Sequence, residues 1–224
     1  MTRHRAEELA ANLAAVRARL AATGREVTLI AVSKTWPATD VAILRDLGVH
    51  DFGENRDADA RAKAADVTGV RWHFVGSVQT GKAGSVASYA DVVHSVDRLR
   101  LVSALGAGAV RAGRVVDALV QVSLDGDPAR GGAIVDDIPA LADAVAGTAG
   151  LRLAGVMAVA PLGADPTAAF RQLAEVAATV RAGHPGATLI SAGMSADLEA
   201  AIEAGATHVR VGTALFGHRA PVLR

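Results

Sequence analysis

TLIAVSKTWP, residues 28 to 37, is a short apolar run that stops at a single lysine, Lys34. Thr28, Ile30 and Val32 are β-branched and suit a buried strand. Pro37 is a favourable first residue for a helix. The run therefore reads as a strand ending near Lys34, with a helix beginning just after it. A lysine at such a junction is either a solvated side chain or a chemical group, and the rest of the chain bears on that choice.

The same unit, strand then turn then helix, recurs along the chain. Strand candidates are 27–34, 50–53, 71–76, 91–96, 117–123, 151–159, 188–192 and 208–212. Between them Val41, Leu44 and Leu47, then Leu141 and Val145, then Leu173 and Ala177, then Leu198 and Ile202, recur at helical spacing. Gly48, Gly113, Gly147 and Gly205 punctuate the helix ends. Strict alternation implies a parallel sheet covered by helices, and eight units match a (β/α)8 TIM barrel. The rival is an open doubly wound sheet, but no Gly-x-Gly-x-x-Gly follows the first strand. Ahead of the barrel, residues 4–22 form an amphipathic helix with Leu9, Leu13, Val16 and Leu20 on one face. Arg3, Arg5, Arg17 and Arg19 read as its solvated side, and Gly24 as its stop. The expectation is one α/β domain over 1–224, with a helix in 1–24 and the barrel in 27–217.

Composition narrows the function classes. The chain has 224 residues, 51% of them hydrophobic, so it holds ample material for a core. Formal net charge is zero, which argues against a nucleic-acid binder. There is no cysteine, so disulfides, zinc-thiolate sites and cysteine nucleophiles are excluded. The N-terminus lacks the apolar core of a secretory signal, and no stretch has the length and apolarity of a membrane span. The expected location is the cytoplasm. The basic residues divide into 20 arginines and three lysines, Lys34, Lys63 and Lys82.

In a barrel of this kind the site lies at the C-terminal ends of the strands. Those ends carry Ser33 and Lys34, Glu54 and Asn55, Ser77 and Gln79, Ser191 to Ser195, and Arg210 to Thr213. SAGMSADLEAAIEAG, 191–205, joins a strand end, a glycine turn and a helix start, with Ser195 as the expected N-cap. VGTALFG, 211–217, repeats the pattern through Gly212 and Thr213. Loops after strands seven and eight of a barrel often bind phosphate. A lysine facing a phosphate site suits Schiff-base chemistry, with pyridoxal phosphate or a phosphosugar as the ligand. In HVRVG, Arg210 shares a strand face with His208 and Gly212, opposite Val209 and Val211. With the valines toward the helices, Arg210 points into the barrel, either to phosphate, to a pyridine nitrogen or to a structural carboxylate. The seven histidines show no metal-ligand spacing, and His73 and His94 read as hydrogen-bonded core residues. Asp125, Asp127, Asp136 and Asp137 read as loop and cap residues.

AVSKTWP at 31–37, FGENR at 52–56, WHFVG at 72–76, SVDR at 95–98, GVMAVAP at 155–161 and GMSADLEAAIEAGATHVRVGTALFG at 193–217 together resemble the pyridoxal phosphate homeostasis proteins (YggS/PROSC-like) over nearly the whole chain. That family is similar to the barrel half of fold-type III PLP enzymes such as alanine racemase. The resemblance implies that Lys34 carries PLP as a Schiff base. It implies that Ser195, Gly212 and Thr213 hold the phosphate with help from the Gly193–Met194 backbone. Asn55 then lies beside the cofactor and Arg210 faces its pyridine nitrogen. It also implies buffering or delivery of PLP, with PLP-dependent apo-enzymes as recipients and no established turnover. The chain departs from the family pattern at Ser77 and Gly81, where histidine and asparagine are usual, at Ala192 for methionine, and at Arg130 for lysine.

Three functions stay open at this level: a PLP carrier, a PLP-dependent amino-acid racemase, and a phosphosugar aldolase. Racemisation in the enzymes resembled uses a tyrosine from an additional β domain as second base. Here the barrel runs to the end at Arg224, and the one tyrosine, Tyr89, precedes strand four, at the end of the barrel away from Lys34. An arginine on the pyridine nitrogen would also keep the ring a poor electron sink. Both points favour the carrier. No large apolar patch is evident on the outer helices, so a monomer is expected.

Overall fold

The computed structural model describes residues 2–127 and 130–217. Its strands are β1(Thr28–Val32), β2(Asp51–Glu54), β3(Arg71–Phe74), β4(Val92–Val96), β5(Val116–Gln121), β6(Leu151–Met157), β7(Leu189–Ser191) and β8(His208–Val211). They pair in sequence order, all parallel, and β1 pairs with β8 to close the barrel. The helices are α1(Thr2–Ala22), α2(Ala38–Asp46), α3(Asp57–Asp66), α4(Ala83–Tyr89), α5(Leu99–Arg111), α6(Ile138–Ala146), α7(Pro166–Gly183), α8(Leu198–Glu203) and α9(Thr213–Phe216). All eight expected strands are present, and the (β/α)8 barrel preceded by a helix is the observed fold. Among the described residues no helix is long and apolar enough to cross a membrane.

The main core lies between sheet and helices. Alternation along β8 sends Val209 and Val211 outward, where they pack with Leu9, Leu13, Val16 and Leu20 of α1 and with Leu215 and Phe216 of α9. Each such side chain contributes about 1.5–3 kcal/mol by burial. The apolar stripe of α1 thus lies against the helices that follow β1 and β8, which the sequence periodicity anticipated. Arg3 is solvated as expected, whereas Arg5, Arg17 and Arg19 are bonded to the rest of the fold. Arg5 donates to Asp40 and to the Phe216 carbonyl, Arg17 to the carbonyls of Leu47 and Gly48, and Arg19 to Glu199 and the Ser195 carbonyl. The stripe and these side chains recur together at steps of three and four, so one face does both jobs.

The barrel interior is split. Val92, Leu119, Ala154 and Met157 form an apolar cluster on the side of β4 to β6. The other side is polar: His73, His94, Ser191, His208 and Arg210 are all buried. His73 and His94 are the hydrogen-bonded core histidines that the sequence implied, at 2.9 Å from each other. Burial lowers both rings below the ordinary 6.5, and it takes His208 to about 4.

These rings set a pH window. In the unfolded chain they take up protons near 6.5, whereas in the folded chain they stay neutral until lower pH. The unfolded state then binds more protons, so stability is complete above about 6.5 and falls as pH drops toward the folded values. Urea midpoints are expected to be flat from pH 7 to 8 and to fall between 6.5 and 5. A flat midpoint over that lower interval contradicts neutral buried histidines.

Candidate functional site

Lys34 does not end a strand. β1 stops at Val32, and Ser33 to Trp36 form a tight turn closed by the Trp36 N–H on the Ser33 carbonyl at 3.0 Å. Thr35, the third residue of that turn, has φ 69°. A β-branched residue there is strained, since that region favours glycine. The Lys34 side chain is exposed and, among the described residues, has no hydrogen bond or ion pair. Its turn is fixed from two sides. Trp36 stacks on Phe216 at 5.8 Å between ring centroids, with the Arg5 guanidinium 4.5 Å over Trp36.

From beneath, Lys63 of α3 donates to the Ser33 carbonyl at 2.7 Å and pairs with Glu54. Ser33 Oγ also donates to Glu54, at 2.6 Å. Ser33 and Glu54 were expected in the barrel mouth. Instead both face the helix layer, because β2 continues through Glu54 and alternation turns that carboxylate toward α3. Lys63 is buried in this ion pair, so it is not an alternative to Lys34 as a free amine. The Glu54–Lys63 pair was invisible in the sequence, because neither residue belongs to a local motif of the other's strand or helix.

Strand register assembles the remaining candidates around the turn. Val32 pairs with Gly53 of β2, which places Asn55 beside Lys34. Asn55 is exposed, and Gly76 lies so close to its backbone that a Cβ there would sit 2.8 Å from Asn55 Cα. Ala31 pairs with Val211, and a Cβ on Gly212 would sit 3.3 Å from the Val32 carbonyl oxygen. Lys34, Asn55, Gly212 and Thr213 therefore share the C-terminal mouth. The two glycine loops also meet: Ser195 Oγ accepts from the Ala214 N–H at 3.3 Å. Ser195 is not the helix cap. A turn through Asp197 intervenes, Asp197 holds the cap position of α8, and its carboxylate takes the Met194 N–H at 2.6 Å. The Met194 N–H is therefore already engaged, while its side chain is exposed.

Three α1 residues spaced seven apart back these loops from outside. Arg5 donates to the Phe216 carbonyl at 3.0 Å, Asn12 to Leu215 at 2.9 Å and Arg19 to Ser195 at 2.9 Å.

Arg210 reaches the interior as expected from the Val209 and Val211 alternation. It donates from Nη1 to Ser191 Oγ at 2.6 Å and from Nη2 to the Ala158 carbonyl at 2.9 Å. Among the described residues it has no carboxylate partner, which removes the structural ion pair as its explanation. Burial lowers its pKa to about 10, so it remains a cation at neutral pH. Two of its five N–H donors are used, both on neutral oxygens, and the Asp197 carboxylate acts on the charge through space without a hydrogen bond. Tyr89 is committed elsewhere: its hydroxyl donates to Asp57 at the start of α3, at 3.2 Å, and burial raises its pKa.

The sequence profile of the alanine racemase N-terminal domain matches residues 5–220. A pyridoxal phosphate homeostasis protein of Mycobacterium bovis is 44% identical, covering 96% of this chain and 94% of the relative. One from Escherichia coli K12 is 37% identical over 95% of this chain and 97% of the relative. The structure of PipY from Synechococcus elongatus with PLP bound superposes with a TM-score of 0.84 at 35% identity, covering 93% of this chain and all of that one. Alanine racemase of Clostridium difficile 630 shares the fold, with a TM-score of 0.79 at 14% identity over 96% of this chain and 58% of that one.

The support beneath the lysine turn is open to test. Lys63→Met leaves the buried Glu54 carboxylate unpaired, and urea unfolding should show a loss of about 3–5 kcal/mol. Adding Glu54→Gln should recover most of it. A Lys63→Met loss no larger than that of a surface substitution contradicts the pairing.

Proposed function

This chain belongs to the alanine racemase N-terminal domain family and, within it, to the pyridoxal phosphate homeostasis proteins, and from that premise we propose that it carries pyridoxal 5'-phosphate as a Schiff base on Lys34 and buffers or delivers it without turnover. The observation that carries the reading is the buried Arg210 guanidinium, which has two neutral hydrogen-bond partners and no ion-pair partner among the described residues. A pyridine nitrogen is an acceptor of the kind its unused donors lack. Bound PLP supplies an aldehyde for an amine and a ring that can accept electrons.

The chain's own residues divide the work of holding it. Lys34 is the amine: among the described residues it has no partner, and its turn is fixed by Trp36 and by Lys63. Ser195, Gly212 and Thr213 form the phosphate cup where the two loops meet, with Met194 lining it and sharing its N–H with Asp197. Asn55 flanks the ring from β2. The binding unit is the barrel of 27–217 with the helix of 1–24 backing its loops. We further propose that it acts as a monomer in the cytoplasm, with PLP-dependent apo-enzymes as recipients.

The same arginine argues against racemisation. A cation held at the ring nitrogen keeps that nitrogen unprotonated, so the ring stabilises negative charge poorly. Tyr89, hydrogen-bonded to Asp57 outside the barrel interior, is not available as a second base.

The purified protein should be yellow or become so with added PLP, through an absorption band that Lys34→Ala abolishes. That variant should keep part of its PLP affinity through the phosphate cup. A wild-type chain that takes up no PLP contradicts the reading. L-alanine and other amino acids should yield no D-isomer at enzyme-like rates, and steady racemisation would favour the enzyme.

A further inference from the structure

A continuous row of side chains crosses the barrel interior from one face to the other. It runs from Asp51 Oδ1 to His73 Nε2 at 2.8 Å, and from His73 Nδ1 to His94 Nε2 at 2.9 Å. It continues from His94 Nδ1 to Ser191 Oγ at 3.0 Å, and from Ser191 Oγ to Arg210 Nη1 at 2.6 Å. Five strands contribute: β2, β3, β4 and β7, and β8 at the Arg210 end.

The carboxylate end dictates the protons along the row. Asp51 is a carboxylate, which only accepts, so His73 carries its proton on Nε2. A neutral imidazole has one N–H, so His73 Nδ1 accepts and His94 Nε2 donates. His94 Nδ1 is then a lone pair, and the Ser191 hydroxyl donates to it. That leaves the Ser191 oxygen as acceptor for Arg210, which only donates. The Arg210 end is compatible with this assignment but does not fix it, because a hydroxyl oxygen can accept twice; the Asp51 end is what decides. No other arrangement of neutral rings satisfies every link.

The surroundings agree with neutral rings. His73 is faced by Asp51, Arg71, Asp91 and His208, and His94 by His73, Arg210, His208 and Arg71. At His73 burial outweighs the pull of Asp51 and holds the ring below its ordinary value; at His94 burial and the neighbouring basic groups act in the same direction. For Asp51, burial works upward, but the His73 bond, Arg71 and His208 outweigh it and keep the carboxyl below its usual range. Asp51 is also the end that solvent reaches: its side chain is 20% exposed and lines an open cleft of about 620 Å³ with His50, Arg71, Asp117 and Arg152. Aligned hydrogen bonds polarise one another, so the row acts as a unit.

We propose that Asp51, His73, His94 and Ser191 are positioning residues that orient Arg210 for the cofactor ring, and that they tie cofactor retention at the mouth to the acceptor at Asp51 on the opposite face. This rests on the PLP reading above. Arg210 is held at two points, Ser191 Oγ and the Ala158 carbonyl, and the first of these is set by the row. Removing the far acceptor frees the His73 tautomer. A flipped His73 then opposes His94 with a lone pair or a proton in the wrong place, and the Ser191 hydroxyl loses its fixed direction.

The test uses the full chain and two readouts. Side-chain ¹⁵N shifts of the PLP-free wild type should show His73 and His94 neutral with the proton on Nε2 at pH 7. Asp51→Ala should give mixed tautomers at His73 and release PLP roughly three- to tenfold faster, the scale of one lost hydrogen bond. Asp51→Asn keeps an acceptor oxygen and should restore both readouts to near wild type, which a role in charge or folding alone would not do. An Nδ1–H or charged ring in the wild type overturns the row, whatever the state of the cofactor. Unchanged release from Asp51→Ala overturns its link to the site. If Asp51→Ala does not fold, the wild-type tautomers and Asp51→Asn still decide. No PLP uptake with both tautomers in place counts against the cofactor reading and against positioning for its ring; wrong tautomers with PLP bound count against the row alone.

Discussion

The pairing of β1 with β8 is the constraint on which the rest depends. Thr28 to Ala31 run beside His208 to Val211, and this one seam closes the barrel. It also sets the lysine turn against the last glycine loop, with Gly212 close on the Val32 carbonyl. Residues nearly two hundred positions apart thereby share one mouth. The seam is reinforced above by Trp36 stacking on Phe216 and outside by α1, whose Arg5 and Asn12 hold the carbonyls of Phe216 and Leu215. The site is thus a property of closure, and each local motif supplies only one wall of it.

The fold was legible because the barrel repeats a simple pattern. Alternation in HVRVG placed the valines outward and Arg210 inward, and the structure has them so. The leucine and valine stripe of α1 likewise predicted its buried face. What the sequence concealed were contacts between side chains far apart in the chain. Ser33, Glu54 and Lys63 looked like independent residues, yet one ion pair and two hydrogen bonds join them beneath the lysine turn. Arg5, Arg17 and Arg19 of α1 looked solvated because charge at a helix surface usually is. Their spacing with the apolar stripe was the available clue, since Arg5, Asn12 and Arg19 fall seven apart beside it. Ser195 looked like a helix cap because a serine before an apolar helix usually is, but the turn through Asp197 displaces it toward Ala214.

Two kinds of polar burial share this barrel. The Glu54–Lys63 pair is self-contained in charge, and it fixes the backbone from which Lys34 projects. Among the described residues Arg210 has no ion-pair partner; it donates to the neutral acceptors Ser191 and Ala158, and Asp197 acts on its charge only through space. An unpaired guanidinium in a buried site costs stability, which a folding argument alone does not explain. Cofactor binding does explain it, because a ring nitrogen would complete its hydrogen bonding. The histidine row supplies a further reason for keeping polar groups inside: it aims that guanidinium.

We propose that Lys34, alone of the three lysines, is the amine that carries PLP. Borohydride reduction of the PLP-loaded chain followed by peptide mass mapping tests it most directly. A single pyridoxyl addition on the peptide containing Lys34 is expected. Addition on Lys63 or Lys82 in its place, or no covalent addition from a PLP-loaded chain, would contradict it.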